Sequence, residues 1–208
     1  EVDFPVSCVL LLADGDTVVL MGEPHFREEV ARREYRISAA SPFQTNSGAA
    51  EALVELVREM LAPRGDETLV DAFAGVGLFG LALAGDVGRV LAVEAHPDAA
   101  EDLAHNARDL GNVELRRGEV QDALAGIQEP VQLLVLDPPR AGAGQGVMEE
   151  LVRLAPERIA YVSADPAGLA RDARRLVDGG YRLERVQPID LFPQTFHIGS
   201  VALFVRDS

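Results

Sequence analysis

The segment Thr68–Gly80, reading TLVDAFAGVGLFG, constrains the fold of this chain more than any other. A short apolar run ends in Asp71, a loop with Gly75, Gly77 and Gly80 follows, and a helical apolar pattern begins at once. A strand that stops and turns sharply through glycine leaves backbone amides facing outward and lets a ligand approach the main chain. A second apolar run, Arg89–Glu94, ends in a lone carboxylate about twenty residues further on, where nucleotide-binding α/β sheets hold ribose hydroxyls. Loop and acid together predict a nucleoside cofactor at Gly75, Gly77 and Glu94.

From about Ser41 the chain alternates between the two periodicities of regular structure. Strands are predicted at Thr68–Asp71, Arg89–Glu94, Val113–Arg117, Val131–Asp137, Arg158–Ser163, Tyr181–Leu191 and Ser200–Arg206. Helices are predicted at Gly48–Leu61, Leu78–Ala84, Pro97–Leu110, Val120–Gly126, Gly146–Leu154 and Pro166–Asp178. Asp165 before Pro166 is a good helix cap, and Gly179-Gly180 a good stop. Such alternation implies a parallel sheet covered by helices on both faces. The last two strands lack a helix between them, so one of them is expected to run antiparallel. Residues 1–40 read differently: Val6–Ala13 and Thr17–Met21 flank an Asp14-Gly15-Asp16 turn, the pattern of a hairpin. This β-rich appendage is too small for a core of its own. The division expected is therefore 1–40 and 41–208.

Composition narrows the function. The formal net charge of −15 opposes simple nucleic-acid binding, which needs a positive field. All 19 basic residues are arginine. They cluster at Arg27, Arg32, Arg33 and Arg36 and again at Arg171, Arg174 and Arg175, so an RNA substrate would have to use such a local patch or a separate domain. No apolar run approaches the ~20 residues needed to cross a bilayer, and the N-terminal apolar stretch has no basic leader, so it reads as a strand. The single cysteine, Cys8, excludes an internal disulfide and fits the cytoplasm.

Five segments, read together, resemble the RNA uracil-carbon-5 methyltransferases, which make 5-methyluridine in transfer and ribosomal RNA. They are SPFQTNSGAAEALVE from Ser41, DAFAGVGLFGLALA from Asp71, VLDPPRAGAG from Val135, YVSADPAGLARDARRL from Tyr161 and FPQTFHIGSVALF from Phe192. They cover roughly residues 34–206 in the right order. The fold this implies is α/β, a class I (Rossmann-like) seven-stranded methyltransferase sheet, and the implied cofactor is S-adenosylmethionine. Cofactor contacts carried over from the resemblance fall on Gln44, Phe73, Glu94 and Asp137, with Glu119 where a polar residue meets the adenine. RNA, transfer or ribosomal, is the implied partner. Full-length members also carry an N-terminal oligonucleotide-binding domain, and some hold an iron–sulfur cluster on four cysteines. With one cysteine, an internal four-thiolate cluster is impossible here, and no metal is expected.

The resemblance also shows a departure. In the family a cysteine thiolate adds to carbon 6 of uracil and makes carbon 5 nucleophilic, and a glutamate then removes the proton from carbon 5. The corresponding positions are Ala164 and Gly199, neither of which can do this chemistry. Two functions are therefore expected to compete. One is a methyltransferase acting on another atom or substrate, with His197 as the residual acid–base group. The other is a non-catalytic cofactor- or RNA-binding pseudoenzyme. A dinucleotide-dependent oxidoreductase fails on the seven-strand ending and on Asp137-Pro138-Pro139-Arg140.

Overall fold

Strands that are apolar on both faces need helices on both sides, and this chain alternates the two almost without interruption. The computed structural model describes residues 6–13, 17–44, 46–191, 194–195 and 198–207. The predicted Asp14-Gly15-Asp16 turn and His197 lie outside the described residues. Two hairpins come first, β1 (Cys8–Leu11) with β2 (Thr17–Met21) and β3 (His25–Val30) with β4 (Arg33–Ser38). Helix α1 (Ser47–Leu61) is followed by β5 (Thr68–Ala72), α2 (Leu78–Leu83), β6 (Arg89–Glu94), α3 (Pro97–Asn106), β7 (Val113–Arg117) and α4 (Val120–Ala125). Then come β8 (Leu133–Leu136), α5 (Gln145–Leu154), β9 (Arg158–Ser163), α6 (Pro166–Asp178), β10 (Tyr181–Ile189) and β11 (Gly199–Arg206).

Seven strands form one sheet in the order β10-β11-β9-β8-β5-β6-β7. Strands β9, β8, β5, β6 and β7 are parallel, and β11 is antiparallel to both of its neighbours. This is the expected Rossmann-like seven-stranded layout with its terminal reversal. The chain steps from β5 outward to β7, then returns to place β8 on the other side of β5. Strand order thus reverses between β5 and β8, and in open α/β sheets ligands bind outside the carboxyl ends at that reversal. Phe73 and Asp137 stand there, each one residue past its strand.

Leu53, Val54, Val57 and Leu61 of α1 are fully buried on one face of the sheet, and Leu124, Met148, Leu151 and Leu176 cover the other. Asn46 caps α1 by accepting from the Ala49 amide at 3.1 Å, and the helix stops at Ala62 ahead of Pro63, which cannot continue it. Asp165 caps α6 as its sequence predicts, accepting from Gly168 N at 2.7 Å. Helix α3 ends at Asn106, earlier than its periodicity predicts, because residues 107–109 fold into a turn closed by Leu110 N donating to Ala107 O.

The second hairpin carries no glycine or asparagine signal. Its turn uses Ala31 and Arg32, both with left-handed backbone (φ 52° and 63°), a conformation the tertiary fold imposes on residues that do not favour it. Within residues 1–40 the two hairpins differ. Val30, Tyr35 and Ile37 are completely buried in the same cluster as α1, whereas Leu10, Leu11, Val18, Val19, Leu20 and Met21 are exposed. Among the described residues no helix is long and apolar enough to cross a membrane.

Candidate cofactor cleft

The glycine loop builds one wall. Phe73 leaves β5 with φ 62°, a left-handed conformation rare for a bulky aromatic and costing about 1–3 kcal/mol of local strain. Gly75 (φ 56°) and Gly77 (φ 97°) continue the turn. Gly77 serves packing: a Cβ there would lie 2.5 Å from Leu103 Cδ1 and 2.6 Å from Leu81 Cδ1. As the residue before α2 it has no side chain with which to cap the helix. Asp71 does this from β5, accepting from Gly80 N at 2.7 Å.

Asp71 is completely buried, and its other oxygen has no partner among the described residues. Burial pushes its carboxyl up to about 7 against the Gly80 hydrogen bond, with the nearby Asp137 and Glu94 carboxylates adding to the rise. A folded-state pKa above the unfolded value means tighter proton binding in the folded protein. That contribution to stability is complete below about pH 4 and is lost as pH rises towards 7. The Asp71→Asn variant is therefore expected to lose about 1–3 kcal/mol less than the wild type between pH 5 and pH 8 in urea denaturation. Parallel profiles would refute this.

Glu94 ends β6 opposite the loop. Gly75 N donates to its Oε2 at 2.7 Å and His96 N to its Oε1 at 2.6 Å. Both oxygens are thus fixed by main chain, and each keeps a lone pair for a ligand hydroxyl. Across the cleft Gln44 Nε2 donates to Asp137 Oδ2 at 3.0 Å, joining the arm before α1 to the carboxyl end of β8. Burial pushes the Asp137 carboxyl up to about 7 despite that bond.

Two buried carboxylates hold the walls in place. Asp102 of α3 accepts from Arg36 Nε (2.7 Å), Ser38 N (2.6 Å), Ser38 Oγ (3.0 Å) and Ser41 Oγ (2.6 Å). One turn on, Asn106 accepts from Arg36 N and donates to the carbonyls of Arg36 and Val76. Together they fasten the arm that presents Pro42, Phe43 and Gln44. On the opposite side Asp172 of α6 accepts from Ala143 N (2.7 Å), the Tyr161 hydroxyl (2.8 Å) and Arg175 (2.8 Å), fixing the loop after Asp137.

The resulting cleft, about 490 Å³, falls within the roughly 300–1,000 Å³ of small-molecule sites. Of the residues the sequence singled out for the cofactor, Gln44, Phe73, Gly75, Glu94 and Asp137 line it. Gly77 lies beneath the loop, and Glu119, exposed just before α4, is not in the lining. Ala164 lines the cleft beside Pro138, Pro139 and Arg140. Gly199, the first residue of β11, is buried under Leu191, whose Cδ1 would lie 2.4 Å from a Cβ there. The sequence reading missed Asp71, although an acid closing the strand before a glycine loop was its visible signal, and Phe43, Val76 and Phe79, which only the fold brings in. A larger groove of about 710 Å³ along α1, with Glu51, Glu55, Arg58 and Asp86, shares no residue with the cleft. Among the described residues no cluster of three or more His, Cys, Asp or Glu could hold a metal ion.

Comparison with known proteins agrees with this geometry. An uncharacterized RNA methyltransferase of Streptomyces coelicolor is 43% identical over 209 residues, covering 98% of this chain and 45% of that protein. One from Thermosynechococcus vestitus is 39% identical over 191 residues, covering 90% of this chain and 42% of that protein. The chain thus spans less than half the length of these relatives. Among solved structures, the Pyrococcus abyssi tRNA (uracil-54, C5)-methyltransferase in complex with S-adenosyl-L-homocysteine is 31% identical with a TM-score of 0.75, covering 92% of this chain and 47% of that one. M. jannaschii TYW2 in complex with AdoMet, 19% identical with a TM-score of 0.60, covers 96% and 94% and shares the fold. A family model described as tRNA (Uracil-5-)-methyltransferase matches residues 25–207, which begins at the first residue of β3 and takes in the whole cleft. This chain belongs to the tRNA (uracil-5-)-methyltransferase family.

Proposed function

We propose that this chain binds S-adenosylmethionine in the cleft between the glycine loop and Asp137, and that its substrate is RNA methylated by a route other than thiolate addition to uracil. The observation that carries the cofactor reading is the Glu94 carboxylate, held by the Gly75 and His96 amides at the mouth of a left-handed loop. A carboxylate so held keeps lone pairs with which it can accept two ribose hydroxyls. Phe73 offers an apolar edge to the nucleoside, and Gln44 with Asp137 closes the far side. The bound cofactor would supply an electrophilic methyl group on a sulfonium cation, and a cleft containing Glu94 and Asp137 above buried Asp71 complements that charge. Gly77 supports the loop from below, and Glu119 is left for the outer edge of the adenine.

Substrate chemistry follows from what the lining lacks. At position 164 an alanine methyl group faces the cleft, and among the described residues no thiol lines it; Cys8 is in β1. At position 199 the strand presents no side chain. A carbon nucleophile that needs activation has no activator among the described residues of the lining, whereas a nitrogen or oxygen acceptor carries its own lone pair and needs positioning and a proton acceptor. Asp137, with its pKa near neutrality, is available for that role. The unit that does this is residues 41–208 with β3–β4 built into its core, and the exposed Cys8 fits a reducing compartment such as the cytoplasm. The packing of Leu191 over Gly199 favours a second reading, a non-catalytic protein that binds cofactor or RNA.

Calorimetric titration with S-adenosylhomocysteine is expected to give saturable heat, and RNA containing 5-fluorouridine is expected to form no covalent adduct. Absence of heat would remove the cofactor, and an adduct would remove the proposed loss of uracil chemistry. Methyl transfer from labelled cofactor to RNA separates an enzyme from the non-catalytic reading.

A further inference from the structure

Arg27, Arg32, Arg33 and Arg36, close in sequence, are joined in space by Arg108 and His105 around a groove of about 370 Å³ between the β3–β4 hairpin and the end of α3. We propose that this groove, separate from the cofactor cleft, is a docking site for the phosphate backbone of the RNA substrate; it rests on the RNA reading above.

The chain carries a formal net charge of −15, so its mean field repels a polyanion and any RNA must meet a local reversal of sign. The groove supplies one. Glu34 pairs with Arg27 at 2.5 Å, Asp109 with Arg33 at 2.5 Å, and buried Asp102 with Arg36 at 2.7 Å. Arg32 and Arg108 appear in none of the described ion pairs, so the five guanidinium groups outnumber their acids. Burial first, and then the charges of Arg108, Arg36 and Arg27, hold the His105 imidazole below the ordinary histidine range. The frame is rigid, because Arg36 and Arg33 are anchored on Asp102, Asn106 and Asp109. Planar guanidinium groups on a fixed frame suit bidentate phosphate contact better than mobile ammonium groups do.

The test is the affinity of the whole chain for unfractionated tRNA across a salt series, comparing wild type with Arg32→Gly/Arg108→Ala. Glycine suits the left-handed backbone at position 32 (φ 63°), so this variant removes charge without straining the turn. The variant is expected to bind about tenfold more weakly near 0.1 M salt, with its log–log salt slope reduced by about 1.5–2, while S-adenosylhomocysteine binding is unchanged. Saturating tRNA is expected to raise the His105 titration midpoint, read by NMR, because phosphate neutralises the arginine field. Equal affinity and slope for variant and wild type, or an unmoved His105 midpoint, would overturn the groove while leaving the RNA reading intact. Polyglutamate competing equally at equal charge would overturn the choice of RNA. Wild-type protein that takes up S-adenosylhomocysteine yet ignores tRNA at every salt concentration would overturn both the groove and the RNA reading.

Discussion

Glu94→Ala is expected to weaken S-adenosylhomocysteine binding by about 100-fold or more, because two charge-assisted hydrogen bonds of roughly 1.5–3 kcal/mol each are lost together. The carboxylate has two jobs at once. In the proposed complex it offers lone pairs to a ribose, and it accepts from Gly75 N and His96 N, which fixes the loop relative to the end of β6. Alanine removes both, and the half-exposed site lets water take up the two freed amides, so the fold survives. Glu94→Gln is the informative companion. Its amide NH₂ cannot accept from one of the two backbone donors, so its affinity should fall between wild type and alanine. Calorimetric titration of the three proteins decides the matter, and an alanine variant that binds as tightly as wild type would move the ribose elsewhere.

Asp102→Ala is expected to have the largest effect on stability, about 3–5 kcal/mol by urea denaturation, the usual cost of removing one partner from a buried ion pair. Asp102 is fully buried and takes four donors from three residues of the arm, so its loss leaves the Arg36 guanidinium, the Ser38 amide and two hydroxyls unsatisfied. Asp109→Ala is the control. Its pairing with Arg33 is 63% exposed on the carboxylate side, and such pairs contribute under about 1 kcal/mol. If both variants lose stability equally, the arm is held by packing of Tyr35 and Ile37 instead. A surviving Asp102→Ala protein should also bind cofactor more weakly, since Gln44 would no longer be held opposite Asp137.

The fold was legible because its signals are local. Asp165 announces a helix start by competing for a backbone amide, Pro63 forbids continuation of α1, and apolar runs of four to six residues have the composition of strands buried on both faces. The β3–β4 turn was not legible. Ala31 and Arg32 carry no preference for left-handed backbone, and the packing of Val30, Tyr35 and Ile37 on α1 and α3 forces it on them. The same holds for Asp102. In sequence it is an ordinary acid; in space it is surrounded by donors from residues 61 to 66 positions earlier in the chain.

By itself the sequence determined which strands and helices form from Gly48 onward, where the glycine loop and its acid lie, and that positions 164 and 199 carry no reactive side chain, since each of these depends on residue type and near neighbours. Tertiary structure alone decided that Gln44 meets Asp137, that Asp137 and Asp71 titrate near neutrality, and that arginines from a hairpin and a distant helix share one groove. Hydrogen bonding, desolvation and electric fields depend on distances through space, and those exist only once the sheet has closed.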